Sequence, residues 1–94
     1  MFHKEDEKII DPELYLRWLQ YGVFTPVFKT HCTKDSIIER RIWHYPDHMY
    51  DMRAAMHLRY ALVPYIYAAA RQTFDTGVSM TRPMYYSHPE NEQA

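Results

Sequence analysis

The sequence has 94 residues, and 11 Lys and Arg against 12 Asp and Glu give a formal net charge of −1. This length allows one small domain, which would bury only about 60–65% of its unfolded surface and fold marginally alone. The near-neutral charge argues against a nucleic-acid-binding protein, which needs a basic face. A hydrophobic content of 47% argues against a disordered tail, and the chain contains no apolar run of about 18 residues that could span a membrane.

The first predicted element is a helix from about Pro12 to Tyr21, preceded by a charged, unpatterned segment over residues 1–10. The run Asp-Pro-Glu at residues 11–13 marks the helix start. An aspartate can cap free backbone N–H groups, a proline fits the first helical position, and a glutamate complements the positive end of the helix dipole. Apolar residues at helical spacing continue the helix, and Gly22 is expected to end it in the left-handed conformation.

The next segment, Val23–His31, has the residue types of a strand. It is rich in β-branched and aromatic residues and apolar at both odd and even positions, which predicts a strand buried on both faces. Pro26 counts against a central strand because it removes a donor from the ladder. Polar residues collect at the end, as in a parallel strand that leads into a site. Such a strand needs neighbours that this sequence does not provide, which indicates part of a larger fold.

A long helical stretch is predicted from Pro46 to about Asp75, with two apolar stripes that indicate packing on two sides. Pro64 lies inside this stretch and removes a helical hydrogen bond, so a kink or break is expected there. Gly77 ends the stretch. Val78–Tyr86 is predicted to form one or two short strands, and the remaining tail is polar.

His31 is the main candidate for a functional residue. Imidazole donates or accepts hydrogen bonds near neutral pH, and the carboxyl ends of strands are where α/β folds place ligand groups. The alternative is a solvent-exposed loop histidine.

Other chemistry is weakly supported by the sequence. His44 and His48 have the four-residue spacing of paired metal ligands, but Pro46 lies between them and no third ligand is placed, so no metal site is expected. Cys32 is adjacent to His31, and neighbouring strand residues point to opposite faces, which disfavours a Cys–His pair. Because no two carboxylates share an apolar strand-end setting, no catalytic residue is assigned within the chain.

Three linked runs resemble glycoside hydrolase family 31, a family of retaining α-glycosidases that includes α-glucosidases and α-xylosidases. The runs are PELYLRWLQYGVFTPVFKTH, ERRIW and MRAAMHLRYALVPYIYAAARQTFDTGVSMTRPMYY. The resemblance covers about Asp11 to Pro89, and the order of three runs makes it specific.

The resemblance implies an α/β fold, a mostly helical fragment of a (β/α)8 TIM barrel. Residues 11–77 would be the C-terminal part of the barrel, and residues 78–94 the start of the β-sandwich domain that follows. Pro12–Tyr21 would be the helix after the seventh strand, Val23–His31 the eighth strand, and the long helical stretch the eighth helix.

The resemblance also implies a role for His31. The family's sugar-binding histidine ends a motif usually written Phe-Arg-Thr-His or Arg-Asn-His, and here the run is Phe28-Lys29-Thr30-His31. His31 would hydrogen-bond hydroxyls of the sugar in the −1 subsite, and such bonds can strengthen at the transition state. Lys29 departs from the commoner arginine and lacks its bidentate fork. The segment Cys32–Tyr45 would border this subsite, since loops after barrel strands line the active face.

The family's two catalytic aspartates lie on earlier strands, outside this chain, and a whole barrel needs about 250 residues. We therefore expect an inactive piece of a parent enzyme that hydrolyses terminal α-linked glucosides or xylosides by a retaining two-carboxylate mechanism. Its expected partners are the carbohydrate substrate and the remainder of the barrel, without cofactor, metal, nucleic acid or membrane. The choice of sugar and the localisation stay open.

The alternative is a small free-standing helical module that binds a protein partner through its Tyr and Met faces. A module should bury its apolar faces within itself, whereas a fragment should leave them exposed.

Overall fold

The computed structural model describes residues 10–31 and 40–94, which divide into two units at the junction between Ala61 and Leu62. Most of the predicted N-terminal segment 1–10, and Cys32 with the residues up to Glu39, lie outside the described residues. The helices are α1 (Pro12–Gly22), α2 (Met49–Ala61) and α3 (Val63–Thr76), and short 3-10 turns occur at Ile42–His44, Pro46–His48 and Met84–Tyr86. Over residues 10–31 and 40–94 the regular secondary structure is all helical, and no strand occurs. No helix of these ranges is long and apolar enough to cross a membrane.

Helix α1 begins as predicted. The Asp11 carboxylate accepts a hydrogen bond from the backbone N–H of Glu13 at 3.0 Å, and Pro12 occupies the first turn. The expectation that Gly22 ends the helix in the left-handed conformation is wrong. Gly22 is itself the last helical residue, and Val23 after it stays right-handed, with φ −53° and ψ −33°. The absence of a side chain at Gly22 allows the Phe28 ring to approach the helix backbone, because a Cβ there would lie 3.1 Å from that ring.

The first unit has a small core where α1 packs on α2. Met52 of α2 and Val23 just after α1 are fully buried. The Tyr15 and Tyr45 rings stack with their centroids 4.7 Å apart. The other buried side chains of this core are Leu16, Leu19, Tyr45 and Ala55. Because each fully buried large apolar side chain contributes about 1.5–3 kcal/mol, these few residues hold the two helices together.

The predicted strand Val23–His31 does not form in this chain. Its first residues instead continue the last turn of α1: Phe24 N–H donates to the Tyr21 carbonyl at 3.2 Å and Thr25 N–H donates to the Gly22 carbonyl at 3.0 Å. The physical reason is the lack of a neighbouring strand among the described residues, because a strand buried on both faces is stabilised by ladders on both edges. The local residue preferences for a strand are real, but they are too weak to hold the extended form alone.

The predicted break in the long helical stretch is confirmed. Helix α2 ends at Ala61, and Leu62 separates it from α3, with Pro64 in the first turn of α3. Gly77 ends α3 in the left-handed conformation, with φ 73°, and its N–H donates to the Thr73 carbonyl at 2.8 Å.

The short strands predicted over Val78–Tyr86 are also not observed. The segment is irregular and closes with the 3-10 turn Met84–Tyr86, whose preceding residue Pro83 is extended, with φ −62° and ψ 150°. As in the first unit, the described part of the chain offers no neighbouring strand that could pair with an extended segment.

The second unit buries none of the side chains on α3. Tyr67 is 78% exposed and Phe74 is 81% exposed, although both belong to an apolar stripe of the sequence. Large exposed apolar faces are the property expected of a fragment and not of a self-contained module.

Candidate functional site

His31 lies at the end of the segment that follows α1, and its side chain is exposed. Its backbone carbonyl accepts a hydrogen bond from Nη1 of Arg40 at 2.7 Å. The carbonyl of Arg40 in turn accepts a hydrogen bond from the Tyr15 hydroxyl on α1. The backbone at His31 is therefore tied to α1 through a chain of two hydrogen bonds.

A groove of about 410 Å³ runs between α1 and the segment that ends at His31. One wall is the apolar face of α1, with Leu14 and Trp18, and the other contains Val27 and Phe28. Its polar side chains are Tyr15, Lys29, Thr30, His31 and Arg40. Among the described residues no carboxylate lines this groove.

The start of the same segment is held by Arg59 of α2. Nη1 of Arg59 donates to the carbonyl oxygen of Val23 at 2.7 Å and also to that of Thr25. Nη2 donates to the carbonyl of Pro26 at 3.2 Å. The guanidinium carbon lies 5.3 Å from the centroid of the Phe28 ring, within range of a cation–π interaction.

These contacts give hydrogen-bond partners to three backbone carbonyls at the start of the segment. A buried backbone carbonyl without a partner costs free energy comparable to a lost hydrogen bond. A guanidinium presents several N–H donors in one plane, so one side chain can serve three carbonyls.

The remaining candidate residues are not brought to the groove. His44 lies in the turn Ile42–His44 and His48 in the turn Pro46–His48. Within residues 10–31 and 40–94 no three His, Cys, Asp or Glu side chains group together to hold a metal ion. Cys32 and most of the segment Cys32–Tyr45 lie outside the described residues, so the expected border of the subsite stays a prediction.

Sequence reasoning missed the two arginines that hold the segment. Neither Arg40 nor Arg59 is among the candidate residues that the sequence indicates. A signal for Arg59 was present, since this cation stands between Leu58 and Tyr60 in an otherwise apolar stretch of helix. Identifying its acceptors requires the tertiary structure, because they lie more than 30 residues earlier in the chain.

Comparison with known proteins identifies the family to which the sequence is similar. The family model described as "Glycosyl hydrolases family 31 TIM-barrel domain" matches residues 2–69. The chain is similar to "Probable glucan 1,3-alpha-glucosidase" of Arabidopsis thaliana, with 37% identity over 83 residues, which is 87% of this chain and 9% of that protein. It is 34% identical to "1,6-alpha-glucosyltransferase" of Sporosarcina globispora over 80 residues, which is 84% of this chain and 6% of that protein.

A third relative is "Alpha-xylosidase" of Saccharolobus solfataricus, 33% identical over 73 residues, which is 77% of this chain and 10% of that protein. No solved structure matches the chain at a comparable level. The chain spans about a tenth or less of the length of the curated relatives it matches.

The match defines the chain as part of a glycosidase-type TIM-barrel domain. The chain belongs to glycosyl hydrolase family 31, which confirms the resemblance drawn from its three sequence runs.

Proposed function

We propose that this chain is part of a larger enzyme that hydrolyses terminal α-linked glucosides or xylosides with retention of configuration. The observation that carries the proposal is the family match over residues 2–69, which includes the run Phe28-Lys29-Thr30-His31 beside the groove. Relatives named as α-glucosidases and an α-xylosidase support both sugar classes. The two carboxylates of the retaining mechanism come from the remainder of the barrel.

In this proposal residues 11–77 are the C-terminal part of the barrel and residues 78–94 lead into a β domain. Helix α1 follows the seventh strand, and α2 with α3 forms the eighth barrel helix. Val23–His31 becomes the eighth strand when the remainder of the barrel supplies neighbours on both edges. The open groove and the exposed face of α3 support this, since both offer apolar surface for further chain to cover.

The role proposed for His31 is to hydrogen-bond hydroxyls of the sugar in the −1 subsite. Its exposed side chain stands at the end of the segment, while its backbone is held by Arg40. A backbone fixed in this way presents the imidazole in a restricted set of positions, which is what recognition of a sugar hydroxyl requires.

The test compares the 94-residue chain with the complete protein that carries this sequence, using aryl α-glucosides and α-xylosides. We expect no turnover by the chain alone, and turnover by the complete protein with the α-anomer as first product in proton NMR. Hydrolysis by the purified chain, or a β-anomer as first product, would overturn the proposal.

His31 is tested in the same complete protein. Replacing it with alanine is expected to lower kcat/KM by about tenfold or more, because a hydrogen bond to the sugar is lost. His57→Ala on the exposed face of α2 is the matched control and should leave kcat/KM unchanged. An unchanged kcat/KM for His31→Ala would remove the sugar-binding role.

A further inference from the structure

Arg59 is the cation that ties α2 to the segment ending at His31. Its three carbonyl acceptors belong to Val23, Thr25 and Pro26, within four consecutive residues. Because hydrogen bonds from a charged donor are stronger than neutral ones, this cluster fixes the path of the backbone where it leaves α1.

The cation also acts further along the segment. Its guanidinium faces the Phe28 ring, and that ring also lies against Gly22. Phe28 is thereby clamped between a side chain of α2 and the backbone of α1. Only Lys29 and Thr30 separate this clamp from His31.

The segment is therefore held at two places. Arg59 holds residues 23–28, and Arg40 holds the backbone carbonyl of His31 at 2.7 Å. The two residues between these fixed points have little conformational freedom. The position of the His31 imidazole therefore depends on both Arg59 and Arg40.

We infer that Arg59 is a positioning residue for His31: it sets the place and direction of the imidazole without touching the substrate. This inference rests on the sugar-binding role proposed for His31. The magnitude is set by geometry, since a misplacement of about 1 Å in a reacting site can cost about 10²-fold in rate. Arginine is required because a lysine ammonium has the charge but cannot serve three carbonyls in one planar fork.

The first test follows backbone hydrogen exchange in the 94-residue chain with Arg59→Lys. The N–H groups of Phe24 and Thr25 are the reporters, because they donate to the Tyr21 and Gly22 carbonyls in the turn that overlaps the residues Arg59 binds. We expect their exchange to accelerate about tenfold, while the N–H of Tyr15 at the other end of α1 changes little. Equal acceleration at all three would show a general loss of stability and would contradict local anchoring. Arg53→Lys on the same helix is the matched control and should change none of them.

The second test is a double-mutant cycle in the complete protein, which measures kcat and KM separately. Arg59→Lys is expected to lower kcat/KM about tenfold when His31 is present and to have less than a twofold effect when His31 is alanine. Equal effects in the two backgrounds would overturn the positioning role and leave the role of His31 standing. If His31→Ala itself has no effect, the sugar-binding role fails and the inference fails with it.

A second substitution guards against misfolding. Arg59→Gln removes the charge and is expected to be at least as damaging as Arg59→Lys, with both variants retaining the near-UV dichroism of the complete protein. If a folded Arg59→Gln variant has the same kcat/KM as the unsubstituted complete protein, the inference is overturned.

Discussion

The two units of the chain have similar apolar patterns but bury them differently. In the first, Met52 and Val23 are fully buried and Arg59 ties α2 to the segment after α1. In the second, α3 carries an apolar stripe of the same kind and buries none of it. An amphipathic pattern thus indicates that another surface covers the apolar face of the helix. The burial of that face shows whether the covering surface belongs to the same chain.

The two units also differ in the range of their side-chain hydrogen bonds. The first unit combines apolar burial with side-chain bonds to backbone carbonyls that span more than 30 residues. The side-chain hydrogen bonds of α3 are local, as in Arg71 to Asp75 and Thr73 to the Ala69 carbonyl. Local bonds hold a helix in shape but do not hold it against anything else.

The largest expected effect compares Met52→Ala with Tyr67→Ala. Removing the buried Met52 side chain should destabilise the first unit by about 2–5 kcal/mol, because the cavity it leaves closes only in part. Removing the exposed Tyr67 side chain should change the free energy of unfolding by no more than about 0.5 kcal/mol. Backbone hydrogen exchange within α1, α2 and α3 measures both changes. Equal costs for the two variants would contradict the contrast between the units.

Replacing either glycine with alanine should have an intermediate effect on stability. The cause is backbone strain at one glycine and a close side-chain contact at the other. Gly77 has φ 73°, and no described atom lies within 4 Å of the position that a Cβ would take there. Gly77→Ala should therefore destabilise the end of α3 by about 1–2 kcal/mol through backbone strain alone. Gly22 is helical, and its Cβ would meet the Phe28 ring. Gly22→Ala is expected to destabilise the chain when Phe28 is present and to stabilise α1 by about 1 kcal/mol when Phe28 is alanine.

This change of sign is measured by a double-mutant cycle on hydrogen exchange in α1. Gly77→Asn is the control at the other site, because asparagine tolerates the left-handed conformation better than alanine does. A Gly22→Ala effect that is the same with and without Phe28 would show that the close approach has no energetic weight.

The smallest effect concerns two exposed ion pairs, one on α1 and one on α3. Arg17 binds Glu13 at 2.9 Å in the first turns of α1, and Arg71 binds Asp75 at 3.2 Å in the last turn of α3. Glu13→Gln should cost about 0.5 kcal/mol, because the acid precedes the base and lies at the positive end of its helix. Asp75→Asn should cost about zero, because its charge opposes the dipole at the helix end.

Salt separates these two cases. Raising the ionic strength to about 1 M shortens the screening length to about 3 Å and should erase the cost of Glu13→Gln. A cost for Asp75→Asn as large as that for Glu13→Gln would contradict the dipole argument.

Much of the helical content was predictable because its signals are local. The cap at Asp11, the break near Pro64 and the end of α3 at Gly77 each depend on a few neighbouring residues. The predicted strand over Val23–His31 is not observed in this chain, because its residue types are those of a strand with neighbours, and the described part of the chain does not supply them. Membership of the family was predictable from three runs, and a comparison with known proteins confirmed it.

The candidate site was predictable only at one point. His31 follows from its place after an apolar segment and from the run that precedes it, and its sugar-binding role stays a prediction. The contacts of the two arginines that hold its segment were not predictable, because their acceptors are backbone carbonyls. A carbonyl is present at every residue, so the sequence carries no mark of which ones Arg40 and Arg59 bind.

The outward rings of Tyr67 and Phe74 also bear on the lifetime of the isolated chain in a cell. Exposed aromatic surface of this kind promotes self-association and exposes a chain to chaperones and proteases. In the proposed assembly these rings would be covered, so we expect the isolated chain to be degraded faster than the complete protein.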